Sequence, residues 1–402
     1  MAHPSRVRVT GPLESFAQGF AAELLRQGYR PNAAADQVRL LAHLSRWLGS
    51  KGLGAADLAN PVLDEFLGAR RSQGYVLWLS LKALTPLLGY LRGIGVRIVE
   101  SKPATNATEA LLARYREYLL GARGLAATSA RGYVDLMRAF VASRLVDDEL
   151  DWTSLRPADV TGFVLTACRG RAIGSAKLVA TALRSLLGYV HVEGLIPAPL
   201  QDVVPAVAGQ RLAGLPRSLE PRAVHRLLAA CDRRTGAGRR DFAMLMLLAR
   251  LGMRAGEVRL LALEDIDWRA GELLVRGKGH RLERLPLPED VGRALTAYLQ
   301  RGRPATVQGR TVFVRVHAPH CALSSAGVSQ AVAGAAARAG LEQVSAHRLR
   351  HTVATEMVRA GVPLPEVGQV LRHRRLMTTA IYAKVDRERL RLLARPWPGG
   401  TT

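Results

Sequence analysis

The chain has 402 residues, enough for two or three domains with substantial cores. Hydrophobic residues make up 48% and charged residues 22%, which excludes a disordered chain, and the formal net charge is +24. Such a cationic excess in a chain with a normal core predicts a polyanionic partner, and the planar fork of arginine suits phosphate. We therefore expect a nucleic acid partner, with a solvated basic surface as the competing interpretation.

Cysteine spacing and apolar runs argue against other classes. The three cysteines are widely separated and form no CxxC motif, so neither a disulfide framework nor a zinc site is expected. The N-terminal residues lack the apolar run of a signal peptide, and the longest apolar run, 242–249, is too short to cross a bilayer. These features predict a cytoplasmic, nucleoid-associated protein with no membrane partner.

Proline- and glycine-rich joins near residues 100 and 205 divide the chain into three blocks. We call them block one, block two and block three, and we predict three domains. Their predicted boundaries are 1–100, 101–205 and 206–402.

Blocks one and two resemble each other. The segment LLGYLRGIG at 87–95 aligns with LLGYVHVEG at 186–194, and Phe66 aligns with Phe163 at a similar offset. Both blocks show helical periodicity, which predicts a four- or five-helix unit in each. Block one is thus interpreted as a diverged copy of block two, with chance similarity between amphipathic helices as the alternative.

Block three predicts a mixture of helices and strands. Two helices are expected, in RRDFAMLMLLARLG and in AGEVRLLALEDIDW, the second leading into a loop; a β-hairpin in GELLVRGKGHRLERLPLP follows and turns at 277–279. A short strand follows in TVFVRV. Three further helices are expected in SAHRLRHTVATEMVRAG, which ends at Gly361, in LPEVGQVLRH and in TTAIYAKVDRERLRLLA.

Tyr382 is the candidate nucleophile of this block. Burial for packing is the ordinary interpretation of an aromatic residue next to Ile381. A phenol has a pKa of about 10 and attacks poorly at neutral pH unless cations or a base assist it. If Tyr382 attacks a phosphodiester, fixed cations must stabilise the charge that develops on the phosphate oxygens.

Two arginines are candidates for that task. Arg254 precedes a predicted helix, and Glu257 three residues later is placed either to orient it or to cap the helix. Arg350 follows His347 by three residues, so the two share a helix face and could meet one phosphate. Taken alone, Arg254 is better explained as an ordinary surface arginine at a helix start, and the alternative for Arg350 is a solvated basic face.

Lys278 and His373 complete the set. Lys278 lies at the tip of the predicted hairpin, where an ammonium could protonate a departing 5′ oxygen, and His373 could hydrogen-bond the phosphate or the phenol. The alternatives are an ordinary turn lysine flanked by glycines and a loop histidine between helices. A metal site formed by His347 and His351, at positions i and i+4, is disfavoured because two neighbouring arginines would repel a cation. We therefore expect no metal ligands.

Four segments that contain these residues, in this order, resemble the tyrosine recombinase family, also called phage-type integrases. They read GMRAGEVRLLALEDIDW, VRGKGHRLERLPLP, AHRLRHTVATEMVRAG and VLRHRRLMTTAIYAKVD. The resemblance covers block three; block two looks like the family's helical core-binding domain, and block one lies outside the family's minimal architecture. It implies a multidomain, mainly α fold, with two helical core-binding-like domains before a mixed α+β catalytic domain that has a small antiparallel sheet.

The resemblance also implies a role for each matching residue. Tyr382 would form a 3′-phosphotyrosyl bond and release a 5′-hydroxyl, with Lys278 as general acid. The other implied roles are phosphate binding by Arg254 and Arg350, acid–base assistance or phosphate hydrogen bonding by His347, transition-state support by His373, and a supporting role for Glu257. The family needs neither a metal nor another cofactor.

One position departs from the family pattern. Arg372 stands where the family commonly has glycine, before the histidine. The substitution predicts either a tighter phosphate contact or an altered local backbone, and it removes no reactive group.

The implied function is a site-specific recombinase or integrase of a mobile element, acting on double-stranded DNA. Such enzymes typically work as four protomers, so a homo- or hetero-tetramer is expected, with related recombinases or directionality factors as further partners. The alternatives are an inactive DNA-binding accessory protein and a DNA-relaxing enzyme of the type IB topoisomerase kind. Candidate DNA-backbone contacts in block two are Thr128, Ser129, Arg131 and Lys177.

Overall fold

The structure is a computed structural model. It describes residues 3–98, 106–208, 218–277, 281–307, 309–342, 344–373 and 376–385. The chain forms two compact units: the first joins residues 1–99 to residues 214–402, and the second contains residues 100–213. Among the described residues, we find no helix of the length and apolarity that a membrane crossing needs.

Block one is helical. Its helices are α1 (Ala17–Arg26), α2 (Pro31–Ser50), α3 (Asn60–Ser72) and α4 (Leu81–Gly93). Pro31 opens α2 at a position where the helix needs no backbone N–H. The inner faces of the helices bury aromatic and leucine side chains, of which Phe20, Leu44, Phe66 and Leu91 are at most 2% exposed.

Block two forms the second unit and has its own core. Its elements are α5 (Ala107–Leu120), α6 (Ala127–Ala142), a two-stranded hairpin of β1 (Leu145–Val146) and β2 (Glu149–Leu150), α7 (Pro157–Cys168) and α8 (Ile173–Val192). Asn106 caps α5 by accepting a hydrogen bond from the backbone N–H of Glu109 at 2.9 Å. Buried residues recur along α8 at helical spacing, as the sequence pattern predicts: Val179, Leu183, Leu186, Leu187 and Val190. The duplication of the two blocks stays a prediction.

Block three is built around a buried helix. Its helices are α9 (Pro221–Ala229), α10 (Gly236–Arg250), α11 (Ala255–Leu260), α12 (Glu289–Arg301), α13 (Ser325–Arg338), α14 (Ala346–Arg359), α15 (Leu364–Val370) and α16 (Leu376–Thr379). Helix α10 packs against α12, α13 and α14, so its apolar run forms the centre of the core. The central position of α10 explains why its apolar run, 242–249, contains no polar residue.

A three-stranded antiparallel sheet lies beside these helices. Its strands are β3 (Ile266–Asp267), β4 (Glu272–Arg276) and β5 (Leu282–Pro286), in the order β3-β4-β5. The predicted hairpin is therefore confirmed, with Leu273 paired to Leu285 and Val275 paired to Glu283. Its tip, which carries Lys278, lies outside the described residues.

Two predictions in block three were wrong. The segment TVFVRV forms isolated bridges, Ala262 with Thr311 and Val314 with Ala322, because its backbone pairs with two different segments in turn. The segment around Tyr382 continues as a 3₁₀-helix, Ala380–Val385, where an α-helix was expected. Thr379 at the end of α16 and Tyr382 within the 3₁₀-helix are both buried.

The mainly α-helical, multidomain fold with a small antiparallel sheet in block three agrees with the predicted fold class. The exact domain boundaries stay predictions. Within the first unit, block one contacts block three near Gly28, whose left-handed φ of +86° lets the chain pass close to His320. The backbone carbonyl of Gln27 accepts a hydrogen bond from the His320 N–H.

Candidate active site

Helix α14 supplies the centre of the candidate site. Ser345 caps the helix by accepting a hydrogen bond from the backbone N–H of Arg348 at 3.2 Å. One turn later Arg350 is only 3% exposed, and its guanidinium donates to the backbone carbonyls of Gly252 and Leu371. Burial, together with repulsion from Arg254 and Arg372, lowers the pKa of Arg350 to about 9. The cation is therefore held in place before any substrate is present.

The turn between α10 and α11 brings the first arginine to the same place. Gly252 has a φ of +56°, and a Cβ there would lie 2.9 Å from a methyl group of Leu371, so the turn needs glycine. Arg254 then caps α11: its backbone N–H donates to Glu257 at 2.9 Å and its guanidinium donates to the other carboxylate oxygen. Glu257 thus both caps the helix and orients Arg254, which were the two alternatives that the sequence left open.

Arg372 joins this pair in a closed ring of contacts. Its Nη2 donates to Glu257 at 2.8 Å, and its backbone carbonyl accepts a hydrogen bond from Arg254 Nη2 at 3.2 Å. The side chain is 3% exposed, and its φ is +55°, a left-handed conformation that favours glycine. Both effects predicted for this departure stay predictions; the left-handed backbone at Arg372 is one that glycine adopts readily. Besides Glu257, the guanidinium donates to the backbone carbonyls of Val370 at 3.0 Å and Gly252 at 3.4 Å, so its donors are largely used within the chain.

The carboxylate of Glu257 stays ionised although it is buried. Burial acts to raise its pKa, but the charge of Arg372 and the hydrogen bonds from Arg254 outweigh that effect, so the pKa lies below its ordinary value. One negative charge therefore faces three guanidinium groups in this region. The net positive charge suits a site that receives phosphate.

His373 follows directly on this ring. Its Nδ1 lies 2.8 Å from the hydroxyl of Thr379, which is fully buried. Gly368 allows this approach, because a Cβ there would lie 3.0 Å from the same hydroxyl oxygen. The contact with Thr379 therefore fixes the imidazole through Nδ1, and Nε2 takes no part in it.

Tyr382 completes the cluster and is 2% exposed. Its phenol oxygen lies 2.7 Å from Nδ1 of His351, and its ring is parallel to that of His373 with centroids 6.4 Å apart. Burial raises the pKa of Tyr382 to about 12, while the charge of Arg350 acts in the opposite direction. In this arrangement the phenol is protonated and sheltered.

The three histidines of the site, His347, His351 and His373, are neutral at pH 7. Burial is the main cause, and the neighbouring guanidinium groups add to it: the pKa of His351 and of His373 is lowered to about 4. Partial burial with the charges of Arg350 and Arg254 lowers the pKa of His347 as well, although part of its ring reaches the surface. A neutral His351 in its Nε2–H tautomer can accept the phenol proton at Nδ1.

The structure gathers five of the six predicted catalytic residues, together with Glu257. These are Arg254, His347, Arg350, His373 and Tyr382. Lys278, the sixth, lies outside the described residues. The four predicted DNA contacts lie elsewhere, in block two: Thr128, Ser129 and Arg131 are exposed on the first turns of α6, and Lys177 is half-buried on α8.

Sequence reasoning underestimated His351. It was considered only as a metal ligand with His347, whereas its ring lies between His347, with centroids 4.4 Å apart, and Tyr382, with centroids 5.5 Å apart. The i and i+4 spacing correctly indicated that the two histidines meet. No local pattern could have shown the contact with a tyrosine 31 positions away along the chain.

Several known proteins are similar to this chain in sequence. The model of the phage integrase family matches residues 217–389. The chain is 40% identical to a Sinorhizobium fredii protein described as an integrase/recombinase, y4rA, over 97% of this chain and 95% of that protein. It is 34% identical to the tyrosine recombinase XerD of Proteus mirabilis over 67% of this chain and 87% of that protein.

Two solved structures show a similar fold. The site-specific recombinase XerH, in a post-cleavage complex with its palindromic difH substrate, aligns with a TM-score of 0.53 at 18% identity over 99% of this chain and 100% of that chain. A lambda integrase dimer bound to a COC′ core site aligns with a TM-score of 0.53 at 18% identity over 79% of this chain and 88% of that chain.

Proposed function

Because the chain belongs to the tyrosine recombinase, or phage integrase, family, we propose that it cuts and rejoins double-stranded DNA through a 3′-phosphotyrosyl bond to Tyr382. The observation that carries this proposal is the convergence of one sheltered phenol with Arg350, His351 and His373 in block three. Solved family relatives with a similar fold are bound to DNA, which supports DNA as the partner of this chain.

The reaction balances without an outside reagent. The phenol oxygen of Tyr382 attacks phosphorus, a new P–O bond forms, and the bond from phosphorus to the 5′ oxygen breaks. The phenol proton passes to His351, the nearest acceptor, and the departing 5′ oxygen takes a proton from a general acid, for which Lys278 is our candidate. Because the phosphotyrosine keeps the energy of the diester bond, the reverse attack by a 5′-hydroxyl rejoins the strand.

The arginines act on the charge that builds up on the phosphate. Arg350 uses two of its five donors on backbone carbonyls, which leaves donors for a phosphate oxygen. The side chain of Arg254 is 39% exposed, so a phosphate can approach it from solvent. Fixed donors of this kind stabilise a transition state because they need no reorganisation when the charge appears.

An arriving phosphate would also change the proton balance. Its negative charge would raise the pKa of His351 and of His373, which burial and, to a smaller extent, the neighbouring charged groups lower to about 4. Partial neutralisation of the site would thus make His351 a better base at the moment when the phenol must lose its proton. Tyr382 would be activated by DNA binding rather than before it.

The biological setting is proposed from the relatives. The Sinorhizobium protein is described as an integrase/recombinase, which supports DNA integration or recombination as the event; that the DNA belongs to a mobile element is our further proposal. A tetramer on two duplexes would supply the four cuts that strand exchange needs. Thr128, Ser129, Arg131 and Lys177 remain our proposed backbone contacts in block two.

A nicked suicide duplex tests the chemistry. Its recombination site carries a nick close to the cut, so that the released fragment diffuses away and the covalent protein–DNA adduct accumulates. We expect adduct with the native chain and none with Tyr382→Phe, which removes only the nucleophilic oxygen. Tyr298→Phe is the matched control, because Tyr298 is also buried in block three but lies far along the chain in α12. Full adduct yield from Tyr382→Phe would overturn the proposal.

A further inference from the structure

Block one contains a cavity that the proposed chemistry does not use. It lies between α2 and α3, has a volume of about 360 Å³, and is lined by His43, Arg46, Trp47, Arg70, Tyr75 and several smaller or uncharged side chains. None of the lining residues is acidic. We call it the Arg70 cavity.

Arg70 is the unusual member of this lining. It is 5% exposed, yet its Nε and Nη1 atoms have no hydrogen-bond partner, and Nη2 reaches only the carbonyl of Leu77, at 3.4 Å. In the described part of the chain, no carboxylate forms an ion pair with it. A buried guanidinium without a counter-ion costs free energy, and burial accordingly lowers the pKa of Arg70.

Aromatic rings enclose the guanidinium but do not replace a counter-ion. Its central carbon lies 4.0 Å from the ring centroid of Tyr75 and 5.8 Å from that of Phe66. Stacking of this kind attracts a cation by about 0.5–2 kcal/mol, and it leaves the N–H donors in the guanidinium plane unpaired. Buried donors without partners point to a group absent from the chain itself.

The rest of the cavity favours an anion for the same reason. Arg46, exposed at the rim, lies with Nη2 3.4 Å from Nδ1 of His43. Burial and the charges of Arg46 and Arg70 lower the pKa of His43, so the site disfavours one more positive charge. A bound oxyanion would offset this excess of positive charge, because it would pair with Arg70 and Arg46 together.

We infer that the Arg70 cavity binds a phosphate group, and that the phosphate comes from the backbone of the DNA on which the enzyme acts. The volume exceeds that of about ten water molecules at roughly 30 Å³ each, which leaves room for a phosphate and its sugar. The net charge of +24 makes a polyanion the expected source. The assignment of DNA as the source rests on the proposed function; the phosphate site itself does not.

The first experiment measures thermal stability of the full chain in phosphate and in chloride at equal ionic strength. Phosphate should raise the Tm of the native chain by about 2–4 °C. Arg70→Met should reduce this rise, with phosphate at the block-three arginines accounting for what remains, and should leave the Tm in chloride equal or higher, because it removes an unpaired buried charge. Arg71→Met is the matched control: Arg71 is the next residue of α3, also contacts the 77–79 loop through Leu79, and is exposed.

The second experiment measures duplex DNA affinity against salt concentration. Loss of one phosphate contact should reduce the slope of log K against log salt by about 0.9 in Arg70→Met and leave it unchanged in Arg71→Met. A reduced phosphate effect on Tm in Arg70→Met with an unchanged slope would overturn the DNA assignment and identify free phosphate or a nucleotide as the ligand.

Two results would overturn the site altogether. One is an equal phosphate effect on Tm in the native chain and in Arg70→Met. The other is a large loss of Tm in chloride for Arg70→Met alone, which would make the arginine a purely structural clamp. If that variant fails to fold, Arg46→Gln at the exposed rim should still weaken the phosphate effect. Neither readout involves cleavage, so failure of Tyr382 as nucleophile would leave both unaffected.

Discussion

Two regions of this protein bury arginine, and they do so in opposite ways. In block three, Arg350 is bonded to two backbone carbonyls and Arg372 to the carboxylate of Glu257. In block one, Arg70 is as deeply buried but has two nitrogens without any partner. The arginines of block three are held by hydrogen bonds within the chain, whereas Arg70 has donors that a ligand could use.

The difference separates preorganisation from ligand binding. A guanidinium held by the chain's own carbonyls keeps its position whether or not DNA is present, which is what transition-state stabilisation requires. A guanidinium that lacks partners gains most when an anion arrives, which favours binding. Arginine-to-methionine substitutions at the three positions should therefore have different effects on folding and on catalysis.

The largest effect is expected for Arg350→Met. Two buried carbonyls, of Gly252 and Leu371, would lose their charged donor, which should lower the free energy of unfolding by about 2–4 kcal/mol. Adduct formation with the suicide duplex should fall by about 10²–10³-fold at a temperature where the variant is folded. Denaturant unfolding and single-turnover cleavage measure the two effects.

Arg359→Met is the control for that substitution, because Arg359 ends the same helix on its exposed side. It should leave stability and cleavage nearly unchanged. Equal cleavage by Arg350→Met and Arg359→Met would remove Arg350 from the phosphate-binding role.

An intermediate effect is expected for Arg372→Met. Glu257 would keep Arg254 but lose its second cation, which should lower the free energy of unfolding by about 3 kcal/mol. Cleavage should slow by about 10-fold with DNA affinity unchanged, because the guanidinium is buried and acts through Glu257. Single-turnover rates and filter binding separate the two quantities.

Two further substitutions of Arg372 test the backbone conformation at that position. Because Arg372 has a φ of +55°, Arg372→Gly should be more stable than Arg372→Ala by about 1 kcal/mol, although both lose the ion pair. Equal stability of the two variants would contradict the left-handed conformation.

The smallest effect concerns pH. The pKa of His351 and of His373 is about 4 in the folded chain and about 6.5 when unfolded, so between these values the unfolded chain binds more protons. The stability should be complete above pH 6.5 and fall as the pH drops toward 4, by about 1 kcal/mol per histidine after solvent screening. Melting curves between pH 4 and pH 7 measure this.

Histidine-to-glutamine variants identify which groups cause the loss of stability with falling pH, which we call the pH slope. His351→Gln and His373→Gln should each flatten it, whereas His225→Gln, on the exposed side of α9, should not. A slope unchanged in both site variants would show that other groups cause it.

Much of block three could be predicted because its signals are local. The capping of α11 by Glu257, the hairpin and the Gly361 stop each depend on residues within a few positions of one another. Local patterns of this kind follow from backbone geometry and hydrogen bonding, which the sequence displays directly. The order of the candidate residues along the chain then indicated the resemblance to the tyrosine recombinase family.

The parts that sequence reasoning missed depend on contacts between distant segments. Arg372 meets Glu257 across 115 positions, and His351 meets Tyr382 across 31. The unpaired state of Arg70 is equally hidden, because the sequence does not show which charges fail to meet. Such features arise from tertiary packing, and only the folded chain reveals them.

Identification of the residue joined to DNA tests the central claim most directly. The adduct from the suicide duplex would be digested with protease and nuclease, and the modified peptide would be sequenced by mass spectrometry. The account predicts one modified residue, Tyr382, linked to the 3′-phosphate of the cut strand. A nucleotide attached to any other residue, or to the 5′ end of the strand, would contradict it.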